Sequence, residues 1–206
     1  MARGKKPLLE NIEIKKIAAE GKSIAYVDEK VLFVPNTVPG DIVDVQVTRK
    51  RKSFLEGFIV NVRKYSDIRT EPFCSHFGVC GGCKWQNLPY QLQTEFKQQE
   101  IVDNLQRIGK VELQNVSPII GSPKTTYYRN KLEYTFCNKR FLTREEIANG
   151  QDIDRTPAVG FHVPGLFDKV IDIKKCYLQA EPSNAVRNFI RDYAIEHELS
   201  FYDIRE

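Results

Sequence analysis

No stretch of this chain is apolar for long enough to cross a bilayer, which takes about 20 consecutive apolar residues. The charged start Met1–Pro7 runs into the mixed segment Leu8–Lys16, not into the apolar core of a secretory signal. Both absences point to a soluble protein of the cytoplasm, where cysteines stay reduced. No internal repeat is evident. There is little net charge either, only +4 over 206 residues, and that sum says almost nothing about partners. Its distribution says more. Residues 1–70 hold 14 Lys and Arg against 9 Asp and Glu, whereas the rest of the chain sums to −1. A positive charge confined to one module is what contact with a polyanion such as nucleic acid calls for. With 41% apolar and 28% charged residues the chain can bury real cores, so disorder is excluded as a general description.

Residues 10–65 also lack any helical period. They show short apolar runs cut by turn signals: Ile12 to Ile17, Ile24–Val27, Val31–Val34, Ile42–Val47 and Phe54–Tyr65. In the fourth run Val43, Val45 and Val47 share one face. Five short strands at this spacing predict a small closed β-barrel of the OB type. Between the last two runs stand Arg49, Lys50, Arg51 and Lys52, four cations at an expected hairpin tip, where such barrels can grip phosphates.

Residues 72–90 carry no period, only glycines, aromatics and three cysteines. From Gln91 the spacing of Leu92, Phe96, Ile101, Leu105 and Ile108 predicts a helix closed by Gly109. Strands are expected at Thr126–Asn138, Val159–Val163 and Val170–Ile173, with a long connection over Asn138–Thr156. Pro182 and Ser183 open a helix with Val186, Phe189, Ile190, Tyr193 and His197 on one face. Leu199–Ile204 begins a further strand-like run, which suggests that the central domain continues past the end of the chain. The expected class is α+β and β-rich: a barrel over 1–68, a cysteine loop and helix over 69–110, and a central sheet-plus-helix domain over 111–206.

Five cysteines in a reducing compartment point to metal binding or catalysis before disulfides. Cys74, Cys80 and Cys83 are spaced C-x5-C-x2-C in a loop loosened by Gly78, Gly81 and Gly82. The close pair can face one centre, the wider gap lets the chain supply a third thiolate, and glycine amides can approach sulphur. Phe73, Phe77 and Trp85 are candidates to shield the site from water. A fourth ligand must come from Cys137 or Cys176. Cys137 lies inside an expected strand, where a lone cysteine is usually just a small packed side chain. Cys176 lies at a strand end, and is the expected fourth ligand. One knuckle with a remote cysteine is closer to iron–sulphur ligation than to the two knuckles of structural zinc, which stays the alternative. His76 is a possible ligand but reads better as a polar loop residue.

The run Cys-Ser-His-Phe-Gly-Val-Cys-Gly-Gly-Cys-Lys-Trp-Gln at 74–86, followed by Tyr90-Gln91, closely resembles the iron–sulphur motif of the RNA (uracil-5-)-methyltransferases. The barrel with its Val38-Pro39-Gly40-Asp41 turn resembles the TRAM domain common in that family. Tyr128-Arg129-Asn130-Lys131-Leu132-Glu133 resembles the start of the family's central domain, and Gly160-Phe161-His162 with Ile173–Cys176 its closing segment.

The resemblance implies a 4Fe–4S cluster on Cys74, Cys80, Cys83 and Cys176, structural and not redox, in an enzyme that methylates ribosomal or transfer RNA. It implies that S-adenosylmethionine and the catalytic cysteine belong to a domain absent from these residues, so the chain alone is expected to be a monomeric, inactive RNA-binding portion. Expected RNA contacts are Arg49, Lys50, Arg51, Lys52, Arg63 and Lys64 in the barrel, and His76, Phe77, Arg129 and Lys131 beyond it. A stand-alone RNA-binding module with a four-cysteine zinc site is the rival expectation.

Overall fold

The computed structural model describes residues 6–150, 156–203 and 205. Met1–Lys5, part of the long connection and Ile204 therefore lie outside the described residues. The chain divides into two compact units. The first takes in the chain through Phe73 together with Lys84–Gly121, and the second takes in Cys74–Cys83 together with the chain from Ser122 onward. The segment 69–110, expected as one piece, is shared between them: its cysteine loop joins the central domain and its helix joins the barrel.

In the first unit six strands form one curled mixed sheet: β1 (Leu8–Glu13), β2 (Lys16–Ile17), β3 (Lys22–Val27), β4 (Lys30–Pro35), β5 (Ile42–Lys50) and β6 (Phe54–Lys64). Their order is β1-β5-β6-β4-β3-β2, antiparallel except for the parallel β4–β6 pair. The strands β1 and β2 are one stretch of chain broken at Ile14–Lys15. There the Ile14 N–H donates to the Asp41 carbonyl and the Lys15 N–H to the Ile24 carbonyl, each at 2.8 Å. One segment thus serves both edges of the sheet and closes it, which leaves little edge exposed. Ile14, Ala25, Leu32, Val34, Val43, Val45, Val47 and Leu55 fill the interior. Each of the valine, leucine and isoleucine side chains contributes about 1.5–3 kcal/mol when fully buried. The expected hairpin is present, its tip fastened by the Arg51 N–H on the Phe54 carbonyl at 2.9 Å.

The helix α1 (Tyr90–Asp103) begins where expected and runs on through a wider turn at Asn104–Ile108. Leu92 and Phe96 are half-buried, but Ile101, Leu105 and Ile108, expected on the packed face, are exposed. Gly109 does end the helix, with an ordinary right-handed φ of −71°; the left-handed residue is the next one, Lys110.

The second unit holds a three-stranded antiparallel sheet in the order β7 (Thr135–Cys137), β8 (Ala158–Val163), β9 (Leu166–Asp172). The strand expected over Thr126–Asn138 shrinks to β7. Tyr127 takes a left-handed φ of 53°, which interrupts an extended run, and the residues after it meet a loop in place of a strand. They hold that loop by the N–H groups of Tyr127 and Arg129 on the carbonyls of Tyr177 and Leu178. The expected connection contains a short helix, α2 (Arg144–Asn149), started by a capping box between Thr143 and Glu146.

The helix α3 (Glu181–Glu196) opens with Pro182 in its first turn, as expected. Its faces are reversed. Val186, Phe189, Ile190 and Tyr193 are exposed, while Asn184, Arg187 and Ala194 are buried. Leu199–Asp203 form no strand; Phe201 instead packs on Phe136 with ring centres 5.5 Å apart.

Candidate metal centre and nucleic-acid surface

The loop Cys74–Cys83 turns sharply after its first cysteine. The Phe77 N–H donates to the Cys74 carbonyl at 3.0 Å, the Cys80 N–H donates to the His76 carbonyl at 2.8 Å, and Gly78 takes a φ of +87°. Two residues on, the Gly82 N–H donates to the Cys80 sulphur at 3.3 Å.

Cys176 is buried with Ile171, Ile173 and Leu178. Val79, Cys80, Cys83, Leu132, Tyr134, Phe161 and Val163 pack against that group. The Cys80 thiol is pushed up to about 11. Burial is the main cause, opposed by the Gly82 N–H, and the neighbouring Cys83, Cys74 and Cys176 add to it. The three thiols singled out by spacing and the expected fourth, Cys176, are therefore near neighbours inside one unit. Among the described residues no three His, Cys, Asp or Glu side chains stand close enough together to hold a single metal ion. Cys137 packs elsewhere, with Ala158 and Val170, and its sulphur accepts the Lys139 N–H at 3.3 Å.

Within the second unit, the apolar wall is built by side chains that the sequence reading did not single out. Phe161, Val163, Leu132 and Val79 supply it. Trp85 belongs to the first unit, where Lys97 lies 5.6 Å above its ring, and Phe73 of that unit is half exposed. His76, expected to face RNA, belongs to the thiol site. Its Nδ1 lies 3.8 Å from the Cys74 sulphur, and burial lowers its pKa against the opposing pull of Asp172. Phe77 beside it is half-buried.

Residues that spacing did not single out hold Cys176 in place. Asn184 accepts the Cys176 N–H at 2.8 Å and donates to the Cys176 carbonyl at 3.0 Å. Arg187 donates to the same Asn184 oxygen at 3.0 Å and lies 4.9 Å over the Tyr134 ring. Burial, followed by the charge of Cys176, raises the Tyr134 pKa and keeps its proton on. That hydroxyl is buried beside Arg187 and Cys176, with neither at full hydrogen-bond geometry. The one sequence signal for this clamp was a pair of polar residues, three apart, in a helix otherwise read by its apolar stripe.

Four sulphur donors, a cage of apolar side chains and a buried hydroxyl without a well-placed acceptor together fit a thiolate-bound centre. Cys74, Cys80, Cys83 and Cys176 are the residues that would hold it. Soft thiolates of this kind favour zinc, copper(I) or iron–sulphur over hard cations.

In the barrel, Lys50, Arg51, Lys52 and Lys64 are exposed. Arg49 is exposed as well but leans on Glu56 across the hairpin at 3.5 Å. Arg63 is committed to the barrel: its Nε donates to Asp44 at 2.8 Å, and Glu10 lies 3.8 Å away. Asp44 is held below its ordinary value, first by the Asn11 N–H, and then by Asn61 and Arg63. In the second unit Arg129 and Lys131 are exposed, with Lys131 beside an equally exposed Glu133 at 2.8 Å.

Comparison with known proteins adds to this geometry. Residues 10–60 match the TRAM domain. The chain is 55% identical over 189 residues to an uncharacterised RNA methyltransferase of Bacteroides thetaiotaomicron, covering 92% of this chain and 42% of the relative. It is 48% identical over 200 residues to one of Porphyromonas gingivalis, covering 94% and 43%. The chain thus spans less than half the length of the curated relatives it matches. Among solved structures, the Pyrococcus abyssi tRNA (uracil-54, C5)-methyltransferase in complex with S-adenosyl-L-homocysteine matches with a TM-score of 0.59 at 22% identity, over 96% of this chain and 39% of that one. At that identity the match shows a shared fold. The chain carries a TRAM domain over residues 10–60, and more than nine-tenths of its length is similar to a part of proteins named RNA methyltransferases.

Proposed function

We propose that this chain is the RNA-binding, cluster-bearing portion of an S-adenosylmethionine-dependent RNA uracil-5-methyltransferase that acts on ribosomal or transfer RNA. The observation that carries the reading is the gathering of Cys74, Cys80, Cys83 and Cys176 in one compact unit, of a chain whose barrel matches the TRAM domain. The named activity of the Pyrococcus abyssi protein supports the choice of uracil C5 and of the methyl donor. Methyl-donor binding and methyl transfer are assigned to the whole enzyme, and these 206 residues alone are expected to be inactive.

A 4Fe–4S cluster held by the four cysteines would supply a rigid cross-link between a loop and a distant strand end. The chain's own residues do the rest. Gly82 and Asn184 orient two of the ligands, and Phe161 and Val163 keep water from the sulphurs. On the RNA side, Lys50, Arg51, Lys52 and Lys64 would grip phosphates, with Arg129 and Lys131 as further cations. Such contacts can offset the few kcal/mol needed to unstack a base before its C5 is alkylated. No described helix is long and apolar enough to cross a membrane, and we place the protein in the cytoplasm as a monomer.

Purification without oxygen, with visible absorption and iron, sulphide and zinc content, tests the reading. A brown protein with about four irons per chain, as a four-cysteine cubane requires, is the expected result. A colourless protein holding one zinc would overturn the cluster and favour a structural zinc module.

A further inference from the structure

Three residues lie behind Cys176 without belonging to the cysteine set. Asn184 holds the Cys176 backbone at both its N–H and its carbonyl. Arg187 holds Asn184 and also donates to the carbonyl of Lys174. Tyr134 completes the group. Its ring is packed between the Arg187 guanidinium at 4.9 Å and the Phe161 ring at 4.9 Å, and it shares its cluster with Cys176, Cys80 and Cys83.

The hydroxyl of Tyr134 is the anomaly. It is buried, and its polar neighbours are the Arg187 guanidinium and the Cys176 thiol, neither of which meets it at full hydrogen-bond geometry. A buried O–H without an acceptor is costly, and a phenylalanine would fill the same space without that cost. Arg187 cannot be the acceptor, because a guanidinium only donates. A neutral thiol is a weak acceptor, which leaves the O–H unsatisfied beside Cys176. A metal-bound thiolate carries negative charge and accepts strongly. The missing partner therefore comes into being when the centre is loaded.

We propose that Tyr134 is a positioning residue for the thiolate-bound centre, its O–H donating to the Cys176 sulphur once that sulphur is a metal-bound thiolate. This rests on the cluster reading above. Arg187 and Phe161 fix the ring, Asn184 fixes the backbone of the ligand, and the hydroxyl is aimed by both constraints. A hydrogen bond to a ligating sulphur withdraws negative charge from it. It therefore favours the reduced, more negative state of a cluster and raises its reduction potential.

The test uses the whole chain reconstituted with iron and sulphide under anaerobic conditions, compared with Tyr134→Phe and with 3-fluorotyrosine placed at position 134. The phenylalanine keeps the ring and removes the donor; the fluorinated ring keeps the hydroxyl and makes it a stronger donor. Tyr134→Phe is expected to load the same iron per chain, to show a more negative midpoint potential, and to lose iron to a chelator about 10-fold faster. The fluorotyrosine protein is expected to shift the midpoint the other way, and it carries the test if the phenylalanine variant fails to fold. Midpoints that do not move in the loaded variants overturn this inference while leaving the cluster standing. A wild-type chain that takes up no iron overturns the cluster reading, and this inference with it.

Discussion

Asp41 grips Arg69 with both carboxylate oxygens: Nε lies 2.8 Å from Oδ1 and Nη2 lies 2.8 Å from Oδ2. Asp41 is fully buried, and it also accepts the N–H groups of Val38 and Ser66. The pair ties the Val38–Asp41 turn to the chain leaving the last barrel strand. Removing Arg69 leaves a buried carboxylate with two amide donors in place of four. Arg69→Ala is expected to cost about 3 kcal/mol, at the lower end for orphaning one member of a buried pair because the arginine is partly exposed. Urea unfolding followed by the fluorescence of Trp85, the single tryptophan, reads this directly. An unmoved midpoint would mean that water replaces the guanidinium.

The barrel was legible because its information is local. Val43, Val45 and Val47 alternate along one strand and are all fully buried, and the basic hairpin is framed by two strand-forming runs. The strand proposed at Thr126–Asn138 had equally good alternation, and its burial does alternate over Lys131–Tyr134. Beyond the break at Tyr127 it lacked a partner, and no local pattern reports a partner. The helix α3 failed for a related reason. Its apolar stripe was real, but Asn184 and Arg187 are drawn inward by Cys176 and Lys174, groups set by tertiary structure. Three cysteines were legible from spacing; the contacts that fix the fourth were not. The capping box of α2 could have been read from Thr143 and Glu146, yet a six-residue helix gives too short a period to weigh against its polar surroundings.

Gly160 of β8 lies against the backbone of β9. A Cβ built on it would stand 2.0 Å from the Ile171 carbonyl oxygen and 3.0 Å from the Ile173 side chain. The first contact is with backbone and cannot be relieved by a side-chain rotation. Gly160→Ala is expected to force the two strands apart, at a cost of about 3–5 kcal/mol, the upper range for one substitution. Hydrogen exchange at the amides of Val159 and Val170 would show the loss. Because Ile171 and Ile173 line the Cys176 cluster, metal uptake should fall in parallel.

The basic residues of the barrel are not equivalent. Lys50, Arg51 and Lys52 are exposed at the hairpin, whereas Arg49 is partly answered by Glu56 and Arg63 is tied to Asp44. Replacing Lys50, Arg51 and Lys52 together by Ala should flatten the plot of log affinity against log salt by about 2, at roughly 0.7 per contact on single-stranded RNA. Arg63→Ala should leave that slope nearly unchanged and lower the stability of the barrel, because it strips a partner from the buried Asp44. Filter binding over a salt series, alongside thermal melts of the same proteins, separates the two roles. Equal slopes for wild type and the triple variant would remove the hairpin from the RNA footprint.

Cys176 and Cys137 are both buried cysteines of the second unit, and their surroundings assign them opposite fates. Cys176 lies among the loop thiols, with its backbone clamped by Asn184; Cys137 is closed in by Ala158 and Val170, with its sulphur already accepting the Lys139 N–H. In protein purified without oxygen, Cys176→Ser should lose most of its iron and its visible absorption, since a serine oxygen is a poor substitute for a thiolate on soft iron. Cys137→Ser should keep both, at a stability cost of about 1 kcal/mol for placing a hydroxyl in an apolar site with one donor at hand. If Cys137→Ser were the colourless protein instead, the fourth ligand would be misassigned. The Asn184 clamp would then serve the packing of α3 and not the metal.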